Sequence, residues 1–124
     1  MSHISKIELE ILDLETLIKA CSRLGLGFHM GRRTFRYYGG SQTCDHAIHV
    51  PSASYEIGVV QSGGRYELRW DDWSSGGLAR ELGPGAGRLK QAYAIERVRK
   101  EAKASGYKIT ETKKENAIRI TLSL

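Results

Sequence analysis

The hydrophobic period changes at Asp13, and that change constrains the fold more than any other feature of the chain. From Ser2 to Leu12 the residues alternate: Ile7, Leu9 and Ile11 point one way, Lys6, Glu8 and Glu10 the other. A period of two over this length describes a strand with one wet face. Beyond Asp13, Leu14, Leu17, Ile18, Cys21 and Leu24 recur at helical spacing. The Asp13 carboxylate can accept an N–H from the first turn, and Gly25 stands where a left-handed C-cap belongs.

The middle of the chain reads as antiparallel sheet. Phe28 to Tyr38 is a basic, aromatic strand ending at Gly39-Gly40, and His46 to Val50 is a short apolar strand stopped by Pro51. Tyr55 to Gln61 and Tyr66 to Asp71 flank Ser62-Gly63-Gly64, a favourable hairpin turn. Residues 74–87 hold five of the fourteen glycines and one of the two prolines. They read as a long mobile loop with one helical turn at Leu78 to Leu82. A second helix runs from about Arg88 to Ser105, striped by Ala92, Ile95, Val98 and Ala102, with Leu89 and Tyr93 beside the stripe and Gly106 as its stop. The tail alternates through Tyr107, Ile109, Ile118, Ile120, Leu122 and Leu124 about a turn at Lys113–Asn116, which predicts a closing hairpin.

The order β-α-β-β-β-β-α-β-β predicts an α+β fold. We expect a two-layer sandwich, a mainly antiparallel sheet with two helices on one face, ferredoxin-like with extra strands. At 124 residues a single domain spanning 1–124 is expected. The N-terminus lacks the basic flank and apolar core of a signal peptide, and no apolar run is long enough to span a membrane. Two cysteines cannot make a disulfide framework, so Cys21 and Cys44 are expected as reduced thiols in a cytoplasmic protein. The net charge of +5 lies wholly in residues 63–124, because residues 1–62 hold six Lys/Arg against six Asp/Glu. Much of that excess follows from the wet faces of the second helix and the terminal turn.

Several pieces in order resemble a small family of cyanobacterial, plastid and other bacterial proteins, a hypothetical chloroplast reading frame with a domain of unknown function. They are Met1-Ser2-His3, Asp13-Leu14, Arg36-x-Tyr38-x-Gly40, Tyr55-Glu56-Ile57-Gly58, Tyr66-Glu67-Leu68 with Trp73, and Gln91-x-Tyr93-Ala94. The resemblance implies an accessory or adaptor role beside a protein partner, with an AAA-type ATPase as the candidate. It implies no catalytic residues and no cofactor. The glycine-rich 74–87 stretch and the Trp70-Asp71-Asp72-Trp73 cluster depart from the family pattern.

Three functional readings stay open on the residues themselves. Trp70, Asp72 and Trp73, beside the glycine loop, are the candidate protein contact, since exposed aromatics supply much of an interface's energy. Trp70 also fits a core position on its strand. Arg32, Arg36 and Tyr38 could grip a single-stranded nucleic acid, with Arg88 and Lys90 at the second helix start adding an anion site. In Cys44-Asp45-His46-Ala47-Ile48-His49, the candidate metal ligands are Cys44, His46 and His49. A strand would point Cys44 and His46 together and Asp45 and His49 to the other face, so His3 or His29 would have to complete the site. Asp71-Asp72 lacks a third carboxylate at regular spacing. Neither a Gly-x-Ser-x-Gly elbow nor a phosphate-loop motif occurs, so the sequence offers no support for an enzyme.

Overall fold

The computed structural model describes residues 3–115 and 117–124; Met1, Ser2 and Asn116, on which the start of the expected opening strand and the end of the expected terminal turn fall, lie outside the described residues. The opening strand, β1, is Ser5–Ile11, and its alternation holds: Ile7 and Ile11 are buried and Leu9 packs against the same core. Asp13 caps α1 (Leu14–Arg23), accepting from the backbone N–H of Thr16 at 2.8 Å. The helix buries Leu17, Ala20 and Cys21, and Gly25 follows it at φ +73°.

Five strands form one sheet in the order β1-β7-β6-β5-β2, with β2 at Gly27–His29, β5 at His46–His49, β6 at Glu56–Ser62 and β7 at Arg65–Trp70. Every adjacent pair is antiparallel. Four antiparallel steps make β1 and β2 parallel at opposite edges, a split β-α-β arrangement with the meander β5–β6–β7 between them. α3 (Gly87–Ala104) buries Leu89, Ala92, Tyr93, Ile95 and Ala102. Its side chains join those of α1 and one sheet face in a single cluster, with Leu17 and Tyr93 beside Ile48, Ile57, Val59, Leu68 and Trp70. The protein is thus an α+β sandwich with two main helices on one face of an antiparallel sheet. No helix among the described residues is long and apolar enough to cross a membrane.

The expected helical turn at Leu78–Leu82 and the expected closing hairpin are both present; the course of residues 28–38 and the packing of the rest of 74–87 differ from the sequence expectation. The strand expected over Phe28–Tyr38 is two strands, because Gly31 adopts φ +75° and turns the chain out of the sheet. The second piece, β3 (Thr34–Tyr37), pairs with β4 (Gly40–Thr43) and folds back over the face away from the helices. There the Phe35 ring lies on Gly58, whose missing Cβ makes the room: a Cβ would stand 2.4 Å from the ring. Residues 74–87 are short helical pieces, a 3-10 turn at Ser74–Gly76, α2 at Leu78–Leu82 and a 3-10 turn at Pro84–Ala86. They put Leu78, Leu82 and Ala86 into the main core. The tail hairpin, β8 (Lys108–Lys114) with β9 (Ala117–Ser123), forms a sheet of its own.

Candidate partner-binding surface

Two buried carboxylates hold the β3–β4 hairpin and the loop after β7 together. Glu56, 1% exposed at the start of β6, accepts from the Arg36 N–H at 3.0 Å through Oε1. Its Oε2 lies 2.8 Å from Arg32 Nη1 and 3.7 Å from Arg36 Nη1, an ion pair without an aligned hydrogen bond. Asp71, 0% exposed, accepts from the Tyr38 N–H at 3.1 Å through Oδ2 and from the Trp73 N–H at 3.0 Å through Oδ1. Charge-assisted hydrogen bonds of this kind are the strong ones. Tyr38 and Trp73 are separated by more than thirty positions, yet their backbones meet on one carboxylate. Their side chains remain 63% and 42% exposed.

The loop that carries Trp73 is seated equally firmly. The Tyr55 ring occupies the space where a Cβ on Gly76 would stand. The Gly76 carbonyl accepts from the Ser54 and Tyr55 N–H groups at 2.8 and 3.3 Å. Arg36 Nε donates to the Ser54 carbonyl at 3.1 Å, tying the hairpin to the same loop. Arg36, Tyr38 and Trp73 are thus exposed on segments whose backbones converge through Asp71, Ser54 and Gly76.

A family model described as "Protein of unknown function (DUF1257)" matches residues 20–122. The chain belongs to this family. It is also similar to the uncharacterized protein ycf35 of Guillardia theta, 28% identical over 130 residues that cover 98% of this chain and 96% of the relative. No solved structure matches.

The remaining candidate residues scatter. Trp70 leaves the contact surface: it is 2% exposed, inside the main core, because β7 turns that face toward the helices. Asp72 is exposed beside Trp73. Arg32, Arg36 and Tyr38 belong to the hairpin side of the sheet, whereas Arg88 and Lys90 sit in the first turns of α3 on the helix side. The sheet therefore separates the two halves of the expected nucleic-acid surface. Arg88 donates to the Glu81 carbonyl at 2.8 Å.

Among the metal candidates, Cys44 lies with Phe35 and Ala47 in the hairpin-side cluster, its thiol donating to the Arg32 carbonyl at 3.2 Å. His46 lies on the opposite face, beside Phe28 and Tyr66, and its Nδ1 accepts from the Gly31 N–H at 2.8 Å. The expected pairing of Cys44 with His46 fails because Asp45 precedes β5 and breaks the alternation. His49 stands next to His29, ring centroids 6.4 Å apart. Among the described residues, no three His, Cys, Asp or Glu side chains come together as a metal site. Burial pushes the Cys21 thiol up to about 12; burial, then Asp45 and Glu56, also raise Cys44. Sequence reasoning missed Glu56 and Asp71 as anchors. The signal for Glu56 was a lone acid opening the apolar run Ile57–Val60.

Proposed function

We propose that this protein is a small, non-catalytic accessory protein of the cytoplasm that docks on a protein partner through Tyr38, Trp73 and Arg36. One observation carries the reading: two exposed aromatics from distant segments are fixed from behind by the single buried carboxylate of Asp71. Tyr, Trp and Arg are the residue types that dominate interface energies. Bracing their backbones in the free protein lowers the ordering cost of association. Single-strand binding by Arg32, Arg36, Tyr38, Arg88 and Lys90 has less support, because a phosphate backbone needs free cationic charge, part of which Glu56 neutralises on Arg32 and Arg36, and Arg88 and Lys90 stand on the helix side. A metal site at Cys44, His46 and His49 has less again, since these side chains occupy both faces of the sheet. The family resemblance makes an AAA-type ATPase the first partner to test.

The experiment is quantitative affinity capture from the native host after nuclease treatment, comparing the wild-type chain with Tyr38→Ala/Trp73→Ala. A stoichiometric protein bound by the wild type and reduced at least tenfold for the variant is the expected result. Equal capture by both, or no stoichiometric protein for the wild type, overturns the proposal.

A further inference from the structure

The terminal hairpin stands off from the helices. Its inward face carries Ile109, Glu111 and Lys113 on β8 and Ile118, Ile120 and Leu122 on β9, and none of these residues is fully buried. A four-charge bridge stands between the layers. Arg23 from α1 donates to Glu96 at 2.6 Å and to Glu111 at 2.7 Å, and Arg99 from α3 donates to Glu111 at 2.7 Å. Clefts open on either side of the bridge.

The cleft toward the hairpin turn has a volume of about 650 Å³, within the range of small-molecule sites. Leu24, Ala92, Ile95 and Ile118 give it an apolar lining. Its charges are unevenly engaged. Among the described residues, Arg23 and Glu111 neutralise each other within the bridge, whereas Arg88 meets only the Glu81 carbonyl and Lys113 forms no ion pair. Among the described residues Glu115 is the one acid on the rim without an ion pair, so that Arg88 and Lys113 against Glu115 leave a single positive charge in excess. The cleft on the other side of the bridge, about 370 Å³, fits an amphipathic ligand less well: it is smaller, and Ile109 is its only aliphatic lining residue among the described residues, although Lys103 lines it beside the paired Lys19 and Lys100.

We infer that the cleft between α1, α3 and the β8–β9 hairpin binds a small amphipathic anion, its apolar body against Leu24, Ile95 and Ile118 and its carboxylate or phosphate head on Arg88 and Lys113. Arg88 can present a planar fork to either head, and Lys113 adds a second cation at the rim. The apolar lining explains why a bare inorganic anion would bind poorly, and the charge excess explains why a neutral apolar molecule would.

The test uses two fluorescent probes that share an aromatic body and differ in charge, 1-anilinonaphthalene-8-sulfonate and neutral N-phenyl-1-naphthylamine, titrated into the folded full chain. One saturable site with at least tenfold preference for the sulfonate is expected. Arg88→Gln/Lys113→Gln should abolish that preference, while Glu115→Gln should tighten sulfonate binding about threefold and Trp73→Ala should leave it unchanged. Displacement by dodecanoate or by dodecyl phosphate, whichever is stronger, then assigns the head group. Equal affinity for both probes, binding unaffected by the double variant, or displacement by neither amphiphile overturns the inference. Because Glu115→Gln gains affinity, a loss of folding in the double variant cannot imitate the full result.

Discussion

Asp71→Ala separates bracing of the contact surface from the aromatics themselves. The substitution removes the acceptors of two N–H groups, held at 3.1 and 3.0 Å, and leaves the Tyr38 and Trp73 side chains intact. A hydrogen bond to a charged group contributes about 1.5–3 kcal/mol, so two would contribute about 3–6 kcal/mol. Two effects reduce this: water can reach backbone whose side chains are exposed, and losing a buried carboxylate relieves its desolvation. The net expectation is a loss of about 2–4 kcal/mol, against a total stability of about 5–15 kcal/mol for a domain, so the variant still folds. Urea unfolding followed by Trp fluorescence measures it. Native-state hydrogen exchange should show the Tyr38 and Trp73 amides losing protection beyond the global change. Asp71→Asn, with one carbonyl oxygen left to accept, should lose about half as much. A loss below about 1 kcal/mol for Asp71→Ala, or unchanged protection of those two amides, would refute the clamp. Partner capture should weaken in Asp71→Ala although both aromatics are present.

Gly58→Ala should cost about 1–3 kcal/mol by overpacking, since its methyl would meet the Phe35 ring at 2.4 Å. Adding Phe35→Leu should recover part of that loss, and strictly additive urea-unfolding energies would count against the contact. The Cys21 thiol, pushed up to about 12 by burial, should react with a disulfide reagent only as fast as the chain opens, which mass spectrometry under native conditions can follow. Arg23 hydrogen bonds hold the Glu111 carboxyl below its ordinary value of 4.5. A depressed carboxylate contributes stability above that value and loses it as pH falls through the folded-state pKa. Amide exchange in β8 and β9 should therefore accelerate below pH 4.5 relative to α1; Glu111→Gln should remove this dependence, and a pH-independent hairpin in the wild type would contradict the bridge.

What could be read from the sequence follows the strength of local patterns. The β1–α1 unit was legible to its cap, because Asp13 and the switch from period two to helical spacing state the same boundary. The break at Gly31 was not, since a glycine in an aromatic, basic run is compatible with one long strand, and its positive φ is held by the pairing of β3 with β4, which lies outside the local pattern. In the 74–87 stretch the helical turn at Leu78–Leu82 was legible, since it holds no glycine, but the glycines around it concealed that Leu78, Leu82 and Ala86 enter the main core. Trp70 and Trp73 show the limit most directly. Three positions apart and chemically alike, they part because Trp70 shares the core-facing side of β7 with Leu68, while Trp73 follows the strand end, where Asp71 holds its backbone.

The placement of acids explains why charge was a poor guide to the candidate surface. A carboxylate reads as surface polarity when its sequence neighbours are polar, and Asp71 is followed by Asp72. Asp72 is exposed whereas Asp71 is completely buried, and the difference is set by backbone N–H groups that arrive from position 38 and position 73. Those donors are fixed by a hairpin folded over the sheet, a long-range event that local charge pattern does not encode. The same reasoning applies to Glu56, which meets the Arg36 N–H only because Phe35 finds the space above Gly58. The arginine-aromatic run that suggested a polyanion surface thus uses part of its charge internally, on Glu56. What it leaves outward is Tyr38 with one face of Arg36, joined to Trp73, and that pairing is a better match to a protein surface than to a phosphate backbone.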